Sequence, residues 1–401
     1  MTHQNKTTKL EDYSVLDAYK GINPAISDTA TYFFPTAEKM AATFAGENDD
    51  DCFLYSRHLS PSTNYLAQAL ATMEGAEDAQ VTASGMSAIS CAIMQICNFG
   101  DEIISARTIY GGTHALMKNF LPRFGIKTNF VDITDLKSIK SKITSNTKLI
   151  YCETVSNPLL EVCDLVALSK ICKEAGLLLV VDNTFTPLII HPIKYGADIV
   201  IYSLTKYING ASDCVGGAIC SNKKFINSLK DVHNGAGMLL GPVMDSFRAA
   251  SILKNLRTLS IRMQKHSQNA RYLAENIEKL GIKVFYPGLL SHPQHRLFES
   301  MADLGYGHSG IITFDAKDQK IAEKLLVEMQ NELVGYLAVS LGSYKTLFSL
   351  PSSSTSSEIP TEDQESTGIT NGLVRMSVGL DHDIKNTFER IKKCLKHVKL
   401  I

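Results

Sequence analysis

The sequence has no CxxC pair, no Walker loop, no GxGxxG, no internal repeat and no apolar run long enough to span a bilayer. Each absence removes a class of protein. Without about twenty consecutive apolar residues there is no membrane-crossing helix, and the polar start MTHQNKTTKLED does not read as a signal peptide. The nine cysteines (Cys52, Cys91, Cys97, Cys152, Cys163, Cys172, Cys214, Cys220 and Cys394) are odd in number, and several sit in apolar surroundings such as ISCAIMQIC. They read as reduced core thiols of a cytoplasmic protein, neither disulfides nor metal ligands. An excess of one charge is lacking too, since 40 basic residues face 41 acidic ones and the net charge is −1. With the basic residues scattered, nothing suggests a nucleic-acid or anionic-membrane surface.

What is there is ordinary globular material: 401 residues, 44% hydrophobic and 20% charged. That length allows two or three domains and a large core. The stretch IVIYSLTK at 199–206 organises the rest. A β-branched run, Ile199-Val200-Ile201, delivers Lys206 just after Ser203 and Thr205. A lysine at the end of a buried strand is costly as a cation, and the usual chemical reason for one is a depressed amine pKa and an imine bond to a carbonyl cofactor. Upstream, Leu177–Val181 form an apolar strand ending on Asp182. A carboxylate at one strand end and a lysine at another suit pyridoxal 5′-phosphate, whose ring nitrogen needs an acid and whose aldehyde needs an amine. Taken singly, Asp182 reads equally as a turn cap and Lys206 as a surface residue.

Taken in order, residues 1–60 look like an extended arm, with Asn23-Pro24, Phe34-Pro35, an acidic patch at 47–51 and the segment FLYSRHLSPST. Tyr55 and Arg57 alternate on one side of that arm and can point at one target, although from this segment alone a rim tyrosine and a solvated arginine is the better reading. Thr63–Gly75 has helical apolar spacing and stops at glycine. Next, a short strand at 79–83, the turn Ser84-Gly85-Met86-Ser87 and an apolar helix over Ala88–Cys97 form a natural phosphate cup, with free backbone N–H groups at a positive helix end; a tight turn with no ligand is the alternative. Tyr110, before Gly111-Gly112 and after the strand Asp101–Ala106, is placed to lie over a flat ring. A plain turn tyrosine is the other reading.

Strands at Thr128–Val131 and Leu149–Glu153 alternate with helices near Leu136–Ile143 and Val166–Ala175, implying a mainly parallel, doubly wound sheet with its ligands at the strands' carboxyl ends. Glu153, Asp182, Ser203 and Lys206 all fall at or just past such ends. After a strand at Gly216–Cys220 and a glycine-rich segment at 234–242, a long helix from about Asp245 to Leu280, broken near Leu259, reads as a connector between domains. The remainder is α+β, with strands at Lys283–Tyr286, Gly310–Phe314, Gly335–Ser340 and Leu373–Val378, helices at Gln319–Gln330 and Asp383–His397, and a Ser-rich loop over 351–371. In GLVRMSVGL, Arg375 is a lone arginine in an apolar strand. A buried guanidinium needs a planar anion, either a substrate carboxylate gripped by its fork or an internal ion-pair partner.

These pieces resemble the Cys/Met-metabolism enzymes that use pyridoxal phosphate, over nearly the whole chain: YSR at 55–57, SGM at 84–86, YGG at 110–112, VVDNTF at 180–185, SLTKY at 203–207, AVSLG at 338–342 and LVRMSVGL at 373–380. Within that family, YGGTHAL, FVDITD, MLLGP and the HPQH segment look most like the plant-type methionine γ-lyases. The resemblance implies the aspartate-aminotransferase (type I) fold: an arm over 1–60 that reaches the neighbouring subunit, a large cofactor-binding α/β domain over 61–257, and a smaller α+β domain over 258–401. It implies that Lys206 holds the cofactor and shuttles protons, that Asp182 pairs with its ring nitrogen, and that Tyr110 stacks on the ring and acts as general acid. Gly85, Met86, Ser203 and Thr205 would bind the phosphate, joined by Tyr55 and Arg57 of the partner subunit. Arg375, with Ser340 and Asn157, would grip the substrate carboxylate, and the assembly would be a homotetramer of catalytic dimers.

The implied activity is carbon–sulfur bond cleavage, γ-elimination of L-methionine to methanethiol, 2-oxobutanoate and ammonia. A cystathionine γ-lyase or γ-synthase, or an O-acetylhomoserine sulfhydrylase, is the alternative on the same scaffold, and a non-catalytic homologue a remoter one. Family cystathionine γ-lyases generally carry glutamate where Val339 stands, and an apolar residue suits a thioether. Sulfhydrylases of the family usually show Asn-Val-Gly where this chain reads Val339-Ser340-Leu341-Gly342. Bacterial methionine γ-lyases have cysteine at the position of Gly112; the plant type has glycine.

Overall fold

The computed structural model describes residues 10, 13, 17, 19–47, 52–354 and 368–401. Most of the polar start, most of the acidic patch and residues 355–367 of the Ser-rich loop lie outside them.

Seven strands form the large sheet: β1 (Asp78–Thr82), β2 (Glu102–Ala106), β3 (Lys127–Val131), β4 (Thr147–Glu153), β5 (Leu178–Asp182), β6 (Ile199–Ser203) and β7 (Gly217–Ser221), in the order β1-β7-β6-β5-β4-β2-β3. Strands β2 to β6 run parallel, and β7 enters antiparallel between β1 and β6. Parallel strands are covered on both faces by helices, which is why LIYC and LLVV read as unbroken apolar runs with no alternation. The register brings the chemistry together. Glu153 lies beside Asp182, while Thr82 and Ser203 both face Gly217, so the turn after β1 and the end of β6 converge.

The helix Gly85–Ile96 begins at a capping box in which Ser84 Oγ accepts from the Ser87 amide and Ser87 Oγ from the Ser84 amide. The expected long helix comes as two, Ser246–Leu256 and Leu259–Glu278, parted at Thr258, which leaves helical geometry at φ −103° and ψ 7°. Leu259 and Met263 of the second helix pack in the core of the large sheet, and Ala270, Leu273, Ala274 and Ile277 in a second core. One helix therefore joins both cores.

That second core lies under a five-stranded sheet of β8 (Val284–Phe285), β9 (Ile311–Asp315), β10 (Tyr336–Leu337), β11 (Leu347–Ser349) and β12 (Leu373–Ser377), in the order β10-β11-β12-β9-β8. Arg375 is central in it, opposite Ser349 and Thr313. The strand expected at Gly335–Ser340 shrinks to two residues, because the chain turns at Ser340 with φ +96°. Within the stretch read as an extended arm, Ala37–Phe44 is helical, capped by Thr36 Oγ1 accepting from the Lys39 amide. The short β11 and the helix His295–Met301 were not expected from the sequence. Among the described residues no helix is long and apolar enough to cross a membrane, and the nine cysteines are free thiols.

Candidate active site

A cavity of about 410 Å³ opens where the carboxyl ends of β4, β5 and β6 meet the small sheet. Its lining includes Gly85, Met86, Tyr110, Asn157, Asp182, Ser203, Thr205, Lys206, Val339, Ser340 and Arg375. Of the residues singled out in the sequence, Tyr55 and Arg57 do not line it. They lie together elsewhere on the chain, the Arg57 guanidinium 5.7 Å from the Tyr55 ring centre and Tyr55 42% exposed.

Lys206 emerges from the turn after β6, and its Nζ donates to Ser340 Oγ at 2.8 Å. Burial, then the positive charge of Arg375, pushes its amine down to about 8, against the opposing pull of Asp182. Asp182 accepts the Thr184 amide at 2.9 Å and the Tyr151 hydroxyl at 3.5 Å. Burial pushes its carboxyl upward, and the bonds from Thr184 and Tyr151 and the charge of Lys206 oppose it.

Glu153, not among the functional residues read from the sequence, is the second buried acid here. Its Oε1 accepts the Tyr110 amide at 2.7 Å and its Oε2 the Asn157 amide at 3.0 Å. Burial, then the charge of Asp182, raises it to about 8. It ties the turn that carries Tyr110 to the segment that carries Asn157. The available signal was an acid ending the apolar run LIYC, the same pattern as Asp182 after LLVV.

Arg375 is 2% exposed. Its Nη1 donates to Asn157 Oδ1 at 3.3 Å and its Nη2 to the Ser340 carbonyl at 3.0 Å. Among the described residues no carboxylate pairs with it, and its buried Nε has no partner. A cation held this way is a receptor awaiting an anion. Ser340 links the two cations, its hydroxyl bonded to Lys206 and its carbonyl to Arg375, from a left-handed conformation that L residues rarely adopt.

Opposite lies the cup. The Ser87 amide is taken by Ser84 Oγ, and the amides of Gly85 and Met86, at the start of a twelve-residue helix, have no partner among the described residues. Gly85 allows a close approach: a Cβ there would stand 2.8 Å from the Ser203 Cβ and fill the cradle. The hydroxyls of Ser203 and Thr205 border the same space. The Tyr110 ring leans over Gly112, where a Cβ would lie 2.7 Å from its Cε1 and 3.3 Å from Met86 Sδ. A side chain at 112 would shift the ring from this position. Phosphate cup, stacking ring, buried carboxylate and lysine of lowered pKa together fit pyridoxal phosphate.

Fold and donor set define a pyridoxal-phosphate enzyme of the type I fold. The particular family follows from similarity: residues 6–396 match the Cys/Met metabolism PLP-dependent enzymes, and the chain belongs to that family. It is 42% identical to the methionine gamma-lyase of Arabidopsis thaliana, over 93% of this chain and 86% of that protein. It is 37% identical to the L-methionine gamma-lyase of Fusobacterium nucleatum subsp. polymorphum, over 96% of this chain and 98% of that one. A solved structure from Campylobacter jejuni, which carries N′-pyridoxyl-lysine-5′-monophosphate, superposes with a TM-score of 0.90 at 30% identity, covering 97% of this chain and 99% of the other. The protein is accordingly a pyridoxal-phosphate enzyme of the sulfur amino acids.

Proposed function

We propose that the protein cleaves L-methionine by γ-elimination, taking up water and releasing methanethiol, 2-oxobutanoate and ammonia. The observation that carries this is a buried arginine without an acid partner, bridged through Ser340 to a lysine whose amine is held near 8. The site thus holds a carboxylate receptor and a base of near-neutral pKa side by side. Gly85, Met86, Ser203 and Thr205 would hold the phosphate of the cofactor, Asp182 its ring nitrogen and Lys206 its carbonyl carbon. Bound there, the cofactor supplies an electron sink for the charge released at the substrate α-carbon.

Arg375 and Asn157 orient the α-carboxylate, which fixes the α-proton toward Lys206. Lys206, as a free amine, would remove that proton and carry it onward. Tyr110 gives a proton to the sulfur as the thiol departs. Val339, apolar and 61% exposed, suits a methyl thioether better than a second amino acid headgroup. Tyr55 and Arg57 of the partner subunit complete the phosphate grip, which makes the working unit a dimer paired into a homotetramer. We assign residues 1–60 to the intersubunit arm, 61–257 to the cofactor domain and 258–401 to the smaller domain, and the enzyme to the cytoplasm.

The test is 2-oxobutanoate and free thiol measured in one tube from cofactor-loaded protein and L-methionine. Equal yields of the two are expected. No product from methionine, with turnover of cystathionine or of O-acetylhomoserine plus sulfide, would move the activity to another reaction on this scaffold.

A further inference from the structure

Away from the cavity, three side chains converge that the reaction does not use. His295 and Glu299 stand one turn apart on the helix His295–Met301, and His308 comes from the segment leading into β9. His295 Nε2 lies 3.4 Å and His308 Nε2 3.3 Å from the same oxygen, Glu299 Oε1. One ligand atom from each falls within 4.8 Å of the others. The two imidazoles are stacked, with centres 5.9 Å apart and planes 16° apart, and Phe298 covers His308 at 5.3 Å.

The hydrogen bonding leaves one contact of this cluster without a donor. His295 Nδ1 is 2.7 Å from the Pro287 carbonyl, and since a carbonyl only accepts, that nitrogen carries the proton. In a neutral ring its Nε2 is then a bare lone pair, facing a carboxylate oxygen that is also an acceptor. His308 Nε2, 3.3 Å from Glu299 Oε1, can donate to it. Arg271, the other cation acting on both His308 and Glu299, is paired with Glu275 at 2.8 Å. A cation seated between the two acceptors fills that contact.

The spacing is compatible with a cation, the three ligand atoms lying within 4.8 Å of one another. Tetrahedral zinc with ligand bonds of about 2.0–2.1 Å separates its ligand atoms by about 3.3 Å, and both carboxylate–imidazole edges already have that length. The donor to Pro287 is the outer hydrogen bond that fixes the tautomer of a metal-binding histidine. With side-chain exposures of 12%, 37% and 6% for His295, Glu299 and His308, Glu299 is the most open of the three to solvent.

We propose that His295, Glu299 and His308 bind one divalent transition-metal ion of the zinc class. Binding uses the Nε2 lone pair of both rings, so the His308 proton moves from Nε2 to Nδ1 and the ring stays neutral. The ion ties the helix His295–Met301 to the chain entering β9. Two residues further on, the Gly310 amide donates to the Tyr207 hydroxyl at 3.1 Å, and Tyr207 follows Lys206. The site is a clamp on the scaffold behind the lysine.

The experiment uses holoenzyme stripped with chelator and titrated with Co²⁺, whose visible bands report geometry and ligand type, followed by competition with Zn²⁺. Expected is one Co²⁺ per chain with a tetrahedral nitrogen–oxygen spectrum, displaced by Zn²⁺, and a rise in Tm on binding. Glu299→Gln, on the exposed side and isosteric, should weaken binding by more than about tenfold while leaving methionine turnover in place; His295→Gln should do the same. Absence of the bands, thiolate-to-cobalt bands from cysteine, or binding that survives in both variants would overturn the site.

Discussion

On one wall of the cavity, Asp182, Ser203 and Lys206 stand at or just past the ends of regular parallel strands, set by a register shared with their neighbours. On the facing wall, Arg375 comes from another sheet, and Ser340 holds its place only by a conformation at φ +96°. The first wall is stiff because its residues are fixed by ladder hydrogen bonds and a core on both faces. The second is assembled from side-chain bonds across the junction of two cores, of which Thr313 Oγ1 to the Pro158 carbonyl at 2.8 Å is one. The cofactor side is thus the stiff frame, and the substrate side is where small changes retune binding.

The largest effect expected is on the first wall. Lys206→Ala removes both the covalent anchor and the base, and turnover should fall by roughly 10⁴-fold or more with loss of the visible cofactor band. A variant retaining full activity would end the assignment. On the second wall, Arg375→Lys keeps a charge but loses the fork that meets Asn157 and Ser340. KM for methionine should rise by about 10–100-fold, in line with roughly 1.5–3 kcal/mol for a charge-assisted hydrogen bond, with kcat much less affected. Equal losses in kcat and KM would show the walls are not separable. Smaller still, Ser340→Ala deletes the hydroxyl that accepts from Lys206 while keeping the backbone. About 1 kcal/mol, near fivefold in kcat/KM, is expected, with Tm almost unchanged.

The same contrast decides what was legible in the sequence. Strands buried on both faces announce themselves as apolar runs, so Asp182 and Lys206 were visible as polar residues where such runs stop. Arg375 was visible for the converse reason, a single charge inside an apolar strand. Glu153 was seen at a strand end but given no role, since what it does depends on two backbone amides, 43 residues before it and 4 after, that only the fold brings to one carboxylate. The helix His295–Met301 begins with no side-chain cap and β11 has three residues, so neither leaves a periodic signal. Ser340 is the clearest case. Nothing in AVSLG indicates a left-handed serine, because its strain is imposed by the partners it bridges.

The smallest expected effect separates the cavity from the core behind it. Glu74, 2% exposed, accepts from the Tyr202 hydroxyl and from the Ile193 amide at 3.1 Å, and burial raises it to about 8. An acid with a folded pKa near 8 and an ordinary unfolded one stays protonated in the native state between those values. Its contribution is complete below about pH 4.5 and is lost as pH rises through 8. Glu153 acts in the same direction over the same window. Lys206 acts oppositely in the cofactor-free chain: its amine is lowered from 10.5 to about 8, so its contribution is lost as pH falls through 8 and regained toward 10.5. Together these three groups contribute least to the stability of the cofactor-free protein, read by denaturant unfolding, near pH 8. Glu74→Gln should flatten the limb between pH 5 and 8 by an amount on the order of a kcal/mol and leave methionine turnover unchanged. Loading the cofactor takes Lys206 out of the titration and should erase the upper limb while leaving the Glu74 part of the lower one. If Glu74→Gln instead lowers kcat, the core behind the sheet is not independent of the cavity, and the division into a stiff frame and a tunable wall fails.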